Sequence, residues 1–158
     1  MEVTKEGKLL SLLFPSRPGQ PSVAPEALIK GLGREPKEVY KARDYLAVFE
    51  SEEEILNLDV NLEELKKLDV LGVIVTAKGT ESDFVSRFFA PNAGIDEDPV
   101  TGSAHCTLVP YWKGVLNKTE LKALQLSKRG GKLFCTDLGE NVKMAGEAVA
   151  YLEGYINV

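Results

Sequence analysis

Apolar residues along this chain follow more than one rhythm, and each rhythm predicts a different element. Over residues 83–90 they alternate: Phe84, Ser86 and Phe88 fall on one side, Val85, Arg87 and Phe89 on the other. That period of two is a strand. Over residues 70–75 the run Val70-Leu71-Gly72-Val73-Ile74-Val75 is almost continuously apolar, which suits a strand buried on both faces. Residues 8–14 are apolar and run into Pro15-Ser16-Arg17-Pro18-Gly19, so they read as a strand ended by a turn. A hairpin is predicted over 39–49, with Arg43-Asp44 near its turn. Toward the C-terminus, Leu133-Phe134-Cys135, Val142-Lys143-Met144 and residues 148–156 are spaced by glycine turns and resemble a meander of short strands.

Helical spacing appears elsewhere. Pro25 suits the first position of a helix running through Ala27, Leu28 and Ile29 to Gly31. Ser51 followed by Glu54 matches a capping box, in which the hydroxyl accepts from the third amide and the glutamate reaches back. Asn61 followed by Glu64 repeats it with an amide oxygen as the cap. Over 103–116, Ala104, Leu108, Trp112 and Val115 lie along one helical face and Val109, Trp112 and Leu116 along the next, with Cys106 and Tyr111 filling much of the rest. A helix apolar almost all round must be enclosed by other elements. Pro110 lies inside it and frees the carbonyl of Cys106, which predicts a kink. The fold class is therefore α+β: a curved, barrel-like β-sheet lobe wrapped around one central buried helix.

Composition narrows the function. The 158 residues suit a single domain able to bury roughly 70% of its unfolded surface. No apolar run approaches the ~18 residues of a membrane span, and the first residues lack the basic-then-apolar order of a signal peptide. Cys106 and Cys135 are too few for a disulfide scaffold, and no CxxC pair suggests a metal. A reduced, cytoplasmic protein without a metal is expected. With a net charge of −5 and no basic stripe interleaved with aromatics, neither nucleic acid nor a membrane is an expected partner. Lys128, Arg129 and Lys132 form the densest basic patch and read as a solvated turn around Gly130-Gly131.

Candidate chemistry concentrates where the long helix begins, at Asp96-Glu97-Asp98-Pro99-Val100-Thr101-Gly102-Ser103. The first amides of a helix lack internal partners and, with the macrodipole, make a ready anion site. Gly102 removes the side chain that would block close approach, and Ser103 adds a hydroxyl. Pro99 restricts Asp98 to extended geometry and so fixes where its carboxylate points. A carboxylate beside an anion-binding nest makes sense if it must hold or move a proton while the nest holds a substrate carboxylate. The plainer reading is that Asp98 caps the helix while Thr101 and Ser103 satisfy the remaining amides.

The run Gly94-Ile95-Asp96-Glu97-Asp98-Pro99-Val100-Thr101-Gly102-Ser103-Ala104-His105-Cys106 closely resembles the signature of the PhzF-like family, named for a phenazine-biosynthesis isomerase. Arg87-Phe88-Phe89-Ala90-Pro91 before it, Pro110-Tyr111-Trp112 after it and Gln125-Leu126-Ser127-Lys128-Arg129-Gly130-Gly131 further on match in order, so the resemblance covers nearly the whole chain. It implies the diaminopimelate epimerase-like fold: two similar lobes, each a sheet around a central helix, with the active site in the cleft between them. Members are biosynthetic isomerases or epimerase-like enzymes that need no cofactor, and they are commonly homodimers. By this resemblance Asp98 is the carboxylate that assists proton transfer. Ser103, Gly102 and Thr101 form the substrate-binding set. His105 plays a supporting or packing part, since successive helix residues point about 100° apart.

The resemblance also implies what lies outside these residues. Residues 1–158 correspond to the family's C-terminal lobe alone. The other lobe supplies a general acid/base glutamate, beside a GNP-type run, and a histidine; neither run occurs here, and the only histidine is His105. Related racemases of this fold use one cysteine from each lobe, whereas this chain has Asp98 at that position, and Cys106 reads as a small buried apolar residue. The function expected is an isomerase-type lobe binding a small carboxylate-bearing metabolite at the start of the central helix. A second lobe would complete it, from a separate N-terminal polypeptide, from a longer natural chain or from a second copy in a homo-oligomer. The competing reading is a catalytically silent binding or assembly module that retains the fold. Either one predicts a partner, because an exposed lobe–lobe face would be a large apolar patch.

Overall fold

In the computed structural model, which describes residues 3–149, 152, 154 and 155, one sheet carries the whole architecture. Its strands are β1 (Val3–Glu6), β2 (Leu9–Pro15), β3 (Gln20–Pro21), β4 (Glu38–Lys41), β5 (Tyr45–Val48), β6 (Val73–Lys78), β7 (Phe84–Phe89), β8 (Glu120–Gln125), β9 (Gly131–Asp137) and β10 (Asn141–Glu147). The helices are α1 (Glu26–Leu32), α2 (Glu52–Leu56), α3 (Leu62–Leu65) and α4 (Gly102–Leu116). The strand order is β1-β2-β10-β9-β8-β7-β6-β5-β4-β3, so the sheet is open at β1 and β3.

Every pairing is antiparallel except β5 with β6 and β7 with β8. These two parallel pairs decide where the helices go. The chain crosses from β5 to β6 through α2 and α3, and from β7 to β8 through α4. Both crossings step the same way across the sheet, but β6 and β7 run in opposite directions. Right-handed crossovers, the usual kind, then send the two helical segments to opposite faces. That is the observed arrangement. One core gathers α4 with inward residues of β5 to β10, among them Leu46, Ile74, Phe84, Leu121 and Val142. A second core gathers Leu28, Leu32, Ile55 and Leu65 of α1–α3 against Val73, Val75 and Val85.

The alternation in β7 carries both layers at once. Phe84 and Phe88 belong to the α4 core, Val85 and Phe89 to the other, as a period of two requires between two apolar layers. Residues of β6 divide in the same way, with Ile74 on one side and Val73, Val75 and Ala77 on the other. The strand starts at Val73 rather than Val70, because 70–72 form the bend that enters it. The hairpin of β4 and β5 turns at 42–44 as expected.

Caps follow the predicted chemistry with small shifts. Ser51 Oγ accepts from the Glu54 amide at 3.2 Å, while the Glu54 carboxylate reaches one residue further back, to the Glu50 amide at 3.0 Å. Asn61 Oδ1 accepts from Glu63 and Glu64. Pro25 is the cap of α1 rather than its first residue, and Gly33 ends the helix at φ 67°, a left-handed value glycine accommodates without strain.

Helix α4 is enclosed through Trp112 and then emerges, with Val115 56% exposed, so the apolar stripe read through Val115 is not buried to its end. Phe84 stacks on Trp112, whose Nε1 donates to Thr76 Oγ1 at 2.9 Å. The carbonyl of Cys106, freed by Pro110, accepts the Arg17 amide at 2.8 Å. The turn after β2 is thereby tied to the middle of α4. Strands β1, β3 and β8 lie outside the elements expected from the pattern, as does the gathering of α1–α3 on the far face of the sheet. The strand expected over 148–156 falls partly outside the described residues, and the described positions there are not in a strand. Among the described residues no helix is long and apolar enough to cross a membrane.

Candidate active site

Three stretches of chain build the start of α4. The loop after β7 carries Asp98 and returns to that strand, where the Asp98 amide donates to the Phe88 carbonyl at 3.0 Å. Arg87, on the α2 side of β7, grips the same loop: its Nε and Nη2 donate to the two oxygens of Glu97 at 2.7 and 3.1 Å, and its Nη1 to the Ile55 carbonyl at 2.9 Å. The end of β8 closes the other side. Gln125 and Ser127 reach across, and Ser127 Oγ donates to the Pro99 carbonyl at 2.8 Å while accepting from the Gly130 amide. A Cβ at Gly131 would collide with Val100, so glycine there lets the loop lie against the start of β9. The sequence runs around Arg87 and over 125–131 that accompany the central motif are therefore its walls.

Thr101 is the most tightly held residue of the loop. It is 6% exposed, and each of its polar groups has a partner. Its amide donates to Gln125 Oε1 at 2.8 Å, and its carbonyl accepts from His105 Nδ1 at 2.8 Å. Its hydroxyl accepts from Gln125 Nε2 at 3.1 Å and donates to Asp98 Oδ2 at 2.6 Å. A hydroxyl so engaged does not cap the helix, and no side chain caps α4. The plainer reading, with Asp98 and Thr101 as caps, is not what the chain adopts. Thr101, expected to touch substrate, has its hydroxyl engaged by Asp98 and Gln125.

His105 is fully buried behind this turn. Since a carbonyl can only accept, Nδ1 carries the proton, and Nε2 is left as a buried nitrogen without a partner. Burial makes the charged ring costly and pulls its pKa down to about 4, against a smaller opposing effect of the Thr101 carbonyl. His105 is thus a neutral support for Thr101. Cys106 and Cys135 are buried, and burial pushes both thiols up, that of Cys135 to about 12.

In front of the helix the groups are donors. Gly102 is half-buried, and a Cβ there would meet open space. Arg43, from the β4–β5 turn, donates through Nη2 to Ser103 Oγ at 3.0 Å, which leaves the Ser103 hydroxyl proton free to be donated onward. Asp44, almost wholly buried, aims that guanidinium by accepting from Nε and Nη2 at 3.1 and 2.7 Å. The charges of Arg17 and Arg43 are felt at Cys106, one turn into α4. Arg43, which the pattern gave only as a turn residue, thus meets Ser103 at the start of α4, while Asp98 is tied to the same helix start through the Thr101 hydroxyl. A cavity of about 610 Å³ lined by Asp96, Glu97, Pro99, Ser127, Lys128 and Arg129 borders the same loop, but Asp98, Gly102, Ser103 and Arg43 do not line it.

Comparison with known proteins agrees with this architecture. The family model described as phenazine biosynthesis-like protein, PhzC-PhzF, matches residues 23–154. An uncharacterized isomerase of Pseudomonas aeruginosa is 43% identical over 158 residues, all of this chain and 61% of that protein. Another, from Halalkalibacterium halodurans, is 46% identical over 96% of this chain and 59% of its own length. Among solved structures, a PhzF-family phenazine biosynthesis protein of Enterococcus faecalis superposes with a TM-score of 0.91 at 40% identity, covering 98% of this chain and 60% of that one. A putative phenazine biosynthesis PhzC/PhzF protein of Clostridium difficile gives 0.89 at 41% identity, covering 99% and 61%. The chain therefore spans about three-fifths of the length of the relatives it matches. On these matches and on the motif that opens α4, the chain belongs to the phenazine biosynthesis-like (PhzC-PhzF) family.

Proposed function

We propose that this chain is the C-terminal lobe of a PhzF-like isomerase, and that it holds the carboxylate of a small metabolite at the start of α4 with Asp98 placed to move a proton. The observation that carries the reading is the uncapped start of α4, where Ser103 and Arg43 offer donors and Asp98, held by the Thr101 hydroxyl just before the helix, caps nothing. An anion there gains roughly 0.3–2 kcal/mol from the helix dipole alone. The Ser103 hydroxyl and the Arg43 guanidinium add charge-assisted hydrogen bonds. Thr101 serves through Asp98, and His105 through Thr101.

Moving a proton from one carbon to another takes a group to remove it and a group to return it, each typically contributing about 10²–10⁴-fold. Asp98 is one. The second comes from a completing lobe, supplied by another polypeptide, by a longer form of this chain or by a second copy of it. Two Asp98 carboxylates converging on an anionic substrate would repel it unless one were protonated, so the separate lobe is the better fit. The reaction uses no cofactor in this reading, and the protein works in the cytoplasm.

Titration of the chain with small carboxylates, followed by amide NMR, tests the binding half of the proposal. The Gly102 and Ser103 amide signals should shift and saturate. Arg43→Gln should weaken the binding about tenfold, equivalent to about 1.4 kcal/mol. Shifts scattered over the surface without saturation would contradict it.

A further inference from the structure

Gln125 is 1% exposed and makes three hydrogen bonds, all to the loop that carries Asp98. Its orientation is not a matter of choice. The Thr101 amide can only donate, so it must face Oε1; the Asp98 carbonyl, at 2.7 Å, can only accept, so it must face Nε2. A flipped side chain would set donor against donor and acceptor against acceptor. With Nε2 fixed, its second proton is directed to Thr101 Oγ1. The threonine hydroxyl, receiving there, has one proton to give, and Asp98 Oδ2 lies 2.6 Å away to take it.

The chain of hydrogen bonds therefore has one direction, from Gln125 through Thr101 to Asp98. If Oδ2 carried a proton itself, the buried Thr101 hydroxyl would lose its acceptor, and an unsatisfied buried polar group costs about 1–3 kcal/mol. Oδ1 has no hydrogen-bond partner among the described residues and is not one of their buried unpartnered atoms, so it is the oxygen left available. We propose that Gln125 is a positioning residue for Asp98: acting through the Thr101 hydroxyl, it holds Oδ2 as an acceptor and reserves Oδ1 for the proton that the site moves. The inference rests on the reading of Asp98 as the proton-moving group, but the hydrogen-bond relay can be tested with no ligand present.

The test is carboxyl ¹³C NMR on the full chain at neutral pH, with the Asp98 signal identified by its loss in Asp98→Asn. Thr101→Val, which keeps the shape and removes the hydroxyl, should shift that signal. Gln125→Met should shift it in the same direction although Gln125 does not touch the carboxylate, and the double variant should go no further than Thr101→Val alone. Thr101→Ser should restore the wild-type position. An unmoved Asp98 signal in folded Gln125→Met, or in Thr101→Val, would overturn the proposal. If Gln125→Met does not fold, the Gln125 side-chain amide protons decide: Thr101→Val should shift one of the two, and finding both unmoved would overturn it. Carboxylate binding at Gly102 and Ser103 can fail or stand independently of this result, so the two readings are separable.

Discussion

Arg87 holds both oxygens of Glu97, at 2.7 and 3.1 Å, from the face of the sheet opposite α4. The motif loop is thus clamped to the α2 layer by a largely buried, two-point ion pair, with the Ile55 carbonyl as a third contact. A lysine cannot reproduce that fork. Arg87→Lys should cost about 1.5–3 kcal/mol, the range for hydrogen bonds to charged groups, and Glu97→Gln less, because it keeps an acceptor. Urea unfolding should show a lower midpoint with an unchanged slope. An unchanged midpoint in Arg87→Lys would mean that the clamp does not hold the loop.

His105 should give the fold a pH dependence of its own. In the unfolded chain a histidine titrates near 6.5, and in the folded chain His105 does so at about 4. Between those values the unfolded state binds the proton and the folded state does not, so stability falls as pH drops from about 6.5 to about 4. The loss reaches about 3 kcal/mol, with no further contribution from His105 below that window. His105 is the only histidine, so the difference between wild type and His105→Gln isolates it. Unfolding free energies measured from pH 7 to pH 4 should fall more steeply in the wild type. Parallel curves would place a charged or solvated ring at this position.

Both thiols should be silent in the native protein. Cys106 is 1% and Cys135 2% exposed, and burial disfavours the thiolate of each. A thiol-disulfide reagent at pH 8 should label neither until denaturant is added, and then both. Fast native labelling of Cys106 would reopen thiol chemistry at the start of α4.

The legibility of the sequence followed the range of the interactions. Helix α4, the β4–β5 hairpin, both cap sites and the alternation of β7 are local patterns, and each is where the pattern places it. Asp98, Gly102 and Ser103 lie within six residues of one another, and a helix start brings them together. Gln125 and Arg43 depend on long-range pairing. Gln125 arrives beside Thr101 only because β8 pairs in parallel with β7, Ser86 opposite Gln125. Its strand hid for a related reason: the inward positions Leu121, Ala123 and Gln125 include a small and a polar residue, so the apolar alternation is faint. Arg43 reaches Ser103 across sixty positions of sequence. The starts of α2 and α3 were legible from their caps, but the second apolar layer they form was not, because their side of the sheet is set by crossover hand.

Solvent deuterium exchange bears most directly on the claim that this lobe is half of an isomerase site. Candidate amino and hydroxy acids would be incubated with the chain in heavy water, wild type beside Asp98→Asn, at concentrations where the Gly102 and Ser103 amide shifts show the acid bound. The account predicts binding and no incorporation of deuterium above background in either protein, because the proposed second proton-moving group belongs to the completing lobe. Incorporation by the wild type that disappears in Asp98→Asn would contradict the account and make this chain an enzyme by itself.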